Sequence, residues 1–291
     1  MIDKFKRIFN GLEERFGYHI IKDDNNSIKK SGESKTSHYP HTNEMWQAHL
    51  NGEKFTVNTK HKDILADSLG ICPINKDSKC TWGAIDLDNY RPDIQELFKK
   101  LKSINVPVIP MRSKSGGVHV YVFLKEPVAA LLMREKLHSI KHIFGVEKPD
   151  RIFPVQKYLD LDKGSAGSWI NLPYYNYKKT ERYMIKEDGS KASIEEFFTV
   201  YERSTITIAQ LKKMECSLNE EDFKDGPPCL QTLASFGIER GARDDVLLDM
   251  TRYLKMRFPE NWQNKTGEYN TKFFKPELTY KEVQKTVNSR E

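Results

Sequence analysis

Between residues 81 and 156 the apolar positions recur with two different periods, and each change of period marks an element boundary. TWGAIDLDNY (81–90) has the composition of a strand. Pro92 then opens PDIQELFKKLKSIN, in which Leu97, Phe98, Leu101 and Ile104 share one face of a helix. VPVIPMRS (106–113) has strand character and KSGG the character of a turn. In VHVYVFL (118–124), Val118, Val120 and Val122 alternate with His119, Tyr121 and Phe123, which predicts a further strand, the second of a hairpin. PVAALLMREKLHSIKHIF (127–144) has the spacing of a helix, and DRIFPVQ (150–156) that of another extended segment.

The resulting order is strand, helix, strand, strand, helix, strand. It predicts an α+β chain with a ferredoxin-like, RRM-like core: an antiparallel sheet with helices on one face and the other face free for a ligand. That topology serves many functions, so the side chains must decide. Before this core, MIDKFKRIFNGLEERF resembles an amphipathic helix. Residues 23–44 form a polar stretch expected to be an exposed loop, and EMWQAHLNG a short helix closed by Gly52. Residues 215–228, acidic and ending in Gly226, Pro227 and Pro228, have the composition of a linker. Helical patterns follow, so the expected division is a catalytic domain over 1–215 and a linker plus small all-α domain over 216–291. No solenoid-period repeat or low-complexity tract interrupts it.

Composition narrows the picture modestly. With 38% hydrophobic and 30% charged residues in 291, the chain is neither disordered nor membrane-embedded in pattern. No stretch approaches the roughly 20 apolar residues that span a bilayer. The amino terminus carries acids and lacks a small-residue cleavage site, so it is not a secretory signal and a cytoplasmic location is expected, in a host if the source is viral. The cysteines (Cys72, Cys80, Cys216, Cys229) form no CxxC pair and are expected to be ordinary thiols. A net charge of +6 favours an anionic partner without identifying one.

Asp86 and Asp88 stand two apart in a predicted strand, so both project from one face while Ile85 and Leu87 point to the other. Two converging carboxylates repel unless a cation lies between them. A pair of Mg²⁺ or Mn²⁺ ions would relieve the repulsion, clamp a triphosphate and activate a 3′-hydroxyl. Solvated strand-end aspartates, or caps of the next helix, are the plainer alternative. Arg112, Ser113, Lys114, Ser115, Gly116 and Gly117 form a turn whose backbone N–H groups, hydroxyls and cations suit a phosphate, with His119 just beyond; an ordinary hairpin is the alternative. Gln156 and Lys157 are expected to face phosphate or template. Trp169, Asn171 and Tyr174 could meet base and sugar, although Trp169 suits a core equally well. The basic, tyrosine-containing run 174–182 could follow a nucleic-acid backbone, or be a solvated face.

GAIDLDN, SKSGGVHVYVF, RIFPVQ and SWINLPYYN, in that order, resemble the archaeo-eukaryotic primase superfamily, especially its phage and mobile-element primase-polymerases. The resemblance covers about half the chain. It implies primer synthesis or extension from NTPs or dNTPs on a single-stranded DNA template during replication, with Asp86, Asp88 and a third acid holding two metal ions. It assigns nucleotide contact to His119. For the third acid it suggests Asp150, with Asp160 and Asp162 as competitors; Arg151 stands where some relatives have glutamate. It implies that the carboxy-terminal helices hold template and initiating nucleotide, with Arg240, Arg243 and Arg252 as phosphate contacts. It also implies a fused or associated helicase. Two alternatives remain: a replication-initiator nickase, of whose paired histidines only His119 is present, and a non-catalytic single-strand-binding module.

Overall fold

The computed structural model describes residues 1–21, 32–87, 92–144, 146, 151–161, 167–214, 223, 225–231, 238, 243–274 and 276–289. The chain divides into two compact units: Met1–Leu101 with Val106–Ser139 and Lys148–Met214, and Lys102–Asn105 with Ile140–Glu147 and Glu215–Glu291.

The first unit opens with α1 (Ile2–Ile8), which buries Phe5 and Ile8. The helix is shorter than its pattern predicts. At Gly11 the backbone passes so close to Cys72 that a Cβ would collide with its carbonyl oxygen, and Leu12 N–H donates to that oxygen at 3.0 Å. The chain therefore leaves the helix and enters β1 (Phe16–Ile21). β2 (Gly32–Ser37) falls where a loop was expected. It is an edge strand, pairing Phe16 with Ser37 through Ile21 with Gly32, and its polar side chains suit an edge. α2 (Asn43–Asn51) ends, as expected, at Gly52 with φ of 74°. β3 (Phe55–Val57) and β4 (Ile64–Ala66) form a two-stranded sheet, and β5 (Ser68–Ile71) joins β1.

The ferredoxin-like core is present. β6 (Lys79–Leu87), α3 (Ile94–Lys102), β7 (Ile109–Arg112), β8 (Val118–Ala129), α4 (Ala130–Ile140) and β9 (Ile152–Phe153) follow the predicted order. Their sheet runs β7-β8-β6-β9, antiparallel throughout. Residues 127–129, expected in the helix, continue β8 instead; there Val128 and Ala129 pair with Cys80 and Lys79 beyond a register shift. Pro127 is tolerated because β7 pairs with β8 only as far as Tyr121.

The second face of this sheet is not free, contrary to expectation. Trp82, Ala84, Tyr121 and Phe123 pack there in one core with Phe5, Phe9, Trp46, Tyr174 and Phe197. The Phe9 ring touches those of Trp82, Tyr121, Phe123 and Phe197. The amino-terminal residues and α5 (Ile194–Ser204) thus take the space a ligand was expected to fill. α5 is started by a capping box between Ser193 and Glu196 and precedes α6 (Ile208–Lys212). β10 (Ile170–Asn171) returns to pair with β5, giving a second sheet in the order β10-β5-β1-β2.

In the second unit, helices Arg243–Arg257, Trp262–Phe273 and Tyr280–Asn288 bury Leu247, Met250, Leu254, Trp262, Phe273 and Val283 together. Among the described residues no helix is long and apolar enough to cross a membrane.

Candidate active site

Alternation along β6 puts Trp82 and Ala84 in the aromatic core and carries Asp86 to the end of the same face. Gly83, on the other face, lies against Met133 and Leu137 of α4. Antiparallel register sets Asp86 directly opposite His119. The His119 Nε2 stands 3.4 Å from Oδ1 of Asp86, and Arg151 Nη1 donates to Oδ2 at 2.7 Å. Behind the histidine, Nδ1 meets the buried Tyr121 hydroxyl at 3.2 Å, which fixes the ring. Burial opposes the charge on Asp86, but the bonds from His119 and Arg151 outweigh it, and the carboxyl is held below its ordinary range.

The turn between β7 and β8 is tight. Ser113 N–H donates to Gly117 O at 2.9 Å and Gly116 N–H to Ser113 O at 3.1 Å. Gly116 has φ of 90°, a left-handed conformation that costs glycine little. At Gly117 a Cβ would lie 2.5 Å from the Leu87 carbonyl oxygen, so this residue lets the turn rest on the end of β6. Ser113 Oγ lies 3.2 Å from Ser115 Oγ, and Arg112 N–H donates to Tyr183 O at 2.8 Å.

The tip of this turn reaches the other sheet. Lys114 Nζ lies 3.1 Å from Nδ1 of His19 on β1 and 3.5 Å from the Ser34 hydroxyl on β2. Arg182, only 6% exposed, donates to Ser68 Oγ on β5 at 3.1 Å and stacks over Tyr175 at 5.0 Å. Burial and the charge of Arg182 push Lys114 down to about 8. Burial, then Lys114 and Arg182, push His19 down to about 4. Burial lowers Arg182 to about 10. Asp67 contributes negative charge nearby, but its Oδ2 accepts from Ile21 N–H at 2.7 Å. Among the described residues neither Lys114 nor Arg182 has a carboxylate ion-pair partner. A buried and a half-buried cation with no ion pair among the described residues are costly to hold and suit an anionic ligand.

The remaining sequence candidates divide. Gln156 turns both ends of its amide to Ser168, donating at 2.8 Å and accepting at 2.9 Å, so it braces a loop instead of facing phosphate; Lys157 is exposed. Tyr174 is core: its hydroxyl meets Ala192 O and Ser193 O at 3.2 Å, and its ring stacks on Phe197. Trp169 lies across Gly17 and Gly70, where any Cβ would strike its indole, and donates to Thr36 Oγ1 at 3.0 Å. Asn171 shares that face, and its buried Oδ1 has no hydrogen-bond partner among the described residues. Asp160 is exposed. In the second unit Arg243 donates to Pro276 O at 3.0 Å and Arg252 pairs with Asp249 at 2.9 Å. Asp88, Asp150, Asp162 and Arg240 lie outside the described residues.

Sequence reasoning missed His19, Ser34, Ser68 and Arg182. FGYHII carries one signal, a histidine on the polar alternation of an otherwise apolar strand. Arg182 was visible only as one member of a basic run.

Asp86 offers the hard oxygens that Mg²⁺ or Mn²⁺ prefers. Among the described residues, no three histidine, cysteine, aspartate or glutamate side chains gather as a metal centre. The Arg151 guanidinium stands on Asp86 as a cation would, so the donor chemistry fits with Asp86 as one ligand.

A family model described as the archaeo-eukaryotic primase domain of TOTE conflict systems matches residues 3–215. No match is found among curated proteins. Among solved structures, the AEP domain of the cyanophage S-2L primase-polymerase is 11% identical, with a TM-score of 0.37, over 68% of this chain and 97% of that one. The primase RepB′ is 10% identical, with a TM-score of 0.28, over 99% of this chain and 85% of that one.

Proposed function

The chain belongs to the archaeo-eukaryotic primase domain family of TOTE conflict systems, a primase-type family, and from that premise we propose that it is a primase-polymerase joining nucleotides on a DNA template strand. The observation that carries this reading is the register of β6 with β8, which sets the Asp86 carboxylate against His119 beside the glycine turn.

Asp86 would hold divalent metal together with Asp88 and Asp150, the two acids assigned from sequence. When bound, such ions neutralise a triphosphate and lower the pKa of an attacking 3′-hydroxyl. The chain's own residues supply the binding and the orientation. Ser113, Ser115 and the 113–117 backbone line the turn, with Arg112 at its base. Lys114 and Arg182, with His19 beside Lys114, extend it into a cationic cradle for a polyphosphate. Gly117 sits on the Leu87 carbonyl, one residue from Asp86, and lies three residues from Lys114, no more than about 10 Å of extended chain. A polyphosphate lying along the turn would run from one toward the other. His119, braced by Tyr121, would present Nε2 to a nucleotide oxygen once Asp86 is otherwise engaged. On the neighbouring sheet face, the half-buried Trp169 would meet a base.

The test is incorporation of labelled nucleotides on single-stranded and primed DNA with Mg²⁺ or Mn²⁺. Wild type should form or extend primers, and Asp86→Asn should lose that activity with its circular dichroism unchanged. Incorporation by Asp86→Asn at the wild-type rate would falsify the reading.

A further inference from the structure

The partners of Asp86 point to a second property of the site. Its oxygens are divided: Oδ1 faces His119, and Oδ2 accepts from Arg151 at 2.7 Å. Arg151 is delivered by the neighbouring strand, since it immediately precedes β9, whose Ile152 and Phe153 pair with Ile85 and Ala84 of β6. The two sides of this pair are unequally covered. The Asp86 side chain is 18% exposed and the Arg151 side chain 34%, so the anion is fixed in the sheet while the cation lies toward water.

A guanidinium stays charged at any pH the protein survives, so it cannot vacate the pair by losing a proton. Mg²⁺ takes carboxylate oxygens at about 2.0–2.1 Å in near-octahedral order. A dication that close to Oδ2 would repel the guanidinium held there at 2.7 Å and compete with it for the oxygen's lone pairs. We infer that Arg151 is an exchangeable counterion of Asp86 that occupies the cation's place in the metal-free protein and raises the divalent-metal concentration needed to load the site. This rests on the reading of Asp86 as a metal ligand. The pair also has a use without metal: it keeps the half-buried carboxylate charged and aligned, so the ligand is ready when the guanidinium swings out. Position 151 thus sets metal affinity from outside the ligand set.

The experiment is direct Mn²⁺ binding, read from the loss of the free-ion electron paramagnetic resonance signal on titrating metal-free full-length protein. A partly exposed ion pair of this kind is worth enough to weaken metal binding about fivefold, so Arg151→Gln should bind Mn²⁺ about fivefold more tightly than wild type. The gain should persist in 0.5 M KCl, where long-range charge effects are screened within a few ångströms but a direct contact is not. Arg151→Lys keeps a cation without the planar fork and should shift affinity the same way by a smaller factor, which covers the case of a poorly folded glutamine variant. Equal affinity in wild type and both variants overturns the inference, as does a gain that vanishes in high salt. Asp86→Asn separates the two ideas. If it abolishes Mn²⁺ binding while the Arg151 variants match wild type, the counterion role fails and the ligand role stands. If it binds Mn²⁺ like wild type, the ligand reading itself is wrong and the counterion role falls with it.

Discussion

Lys114 gives the cradle a pH dependence whose sign can be worked out in advance. Burial and the neighbouring Arg182 charge lower its pKa to about 8, against an ordinary value of 10.5. The charged form, the one that attracts a polyphosphate, therefore predominates below pH 8 and is lost as pH rises through it. A group with that pKa is about nine-tenths charged at pH 7 and about one-tenth charged at pH 9, so affinity for an anion that needs the charge should fall about tenfold between them. Inorganic tripolyphosphate, titrated calorimetrically into metal-free protein, isolates this term from metal hydrolysis and from base recognition. Lys114→Met should bind weakly at both pH values and lose the alkaline decline. Folding stability must move the other way. A lysine whose folded pKa lies below its unfolded one leaves the unfolded chain binding more protons between pH 8 and 10.5, so the Lys114 contribution to stability rises with pH across that window. Opposite signs in the two measurements exclude alkaline unfolding as the cause of weaker binding. Tripolyphosphate affinity in wild type that is flat from pH 7 to 9, or the same decline in Lys114→Met, would refute the reasoning.

Three further substitutions, one of them a control, test the geometry around Asp86. Gly117→Ala puts a Cβ 2.5 Å from a backbone oxygen that cannot turn aside, so the turn must move away from β6; a cost of about 1–3 kcal/mol by urea denaturation and a loss of nucleotide incorporation are expected. Gly116→Ala is the control, because its Cβ would meet nothing within 4 Å and only the φ of 90° resists it; if it lowers incorporation as much as Gly117→Ala, the close approach to Leu87 is not what matters. Tyr121→Phe removes the hydroxyl that meets His119 Nδ1 while retaining the ring stacked on Phe123. The buried nitrogen left unpaired should cost about 1–3 kcal/mol, and an unchanged denaturation midpoint would show that the hydroxyl does not brace the histidine.

The ferredoxin-like sheet was legible because its strands and helices each announce themselves locally: alternation in VHVYVF, a 3.6-residue stripe in IQELFKKL, a glycine turn between two strands. The faces of Asp86 and His119 were legible from alternation along β6 and β8, whereas their standing opposite each other depends on the β6–β8 register, which no short turn fixes. What escaped was long-range. GESKTS has no apolar alternation, because an edge strand draws its pairing from β1 and not from its own burial. α1 stops at Ile8 for a reason that lies sixty residues away, at the Cys72 carbonyl. The free face expected of the sheet is filled by Phe9 and Phe197, brought from opposite ends of the first unit. Gln156 had a phosphate-facing sequence context, but Ser168, twelve residues on, claims both ends of its amide.

The same distinction explains why the cationic cradle was half visible. The contribution of the 113–117 turn lies in one contiguous segment, so its glycines, hydroxyls and lysine could be recognised together. His19, Ser34 and Ser68 join it only because β1 pairs with both β2 and β5, which brings three polar side chains to one face as His19 meets Ser34 and Ser68 in register. Arg182 arrives through a different constraint: Tyr174 N–H bonds to its carbonyl and Arg112 N–H to that of Tyr183, tying the segment to the edge of β7. The turn is therefore a joint between two sheets. Its base is fixed to the strand that carries Asp86, and its tip to the sheet that carries His19. A ligand bridging them would be held by both, and a displacement of the turn would weaken the carboxylate end and the cationic end together.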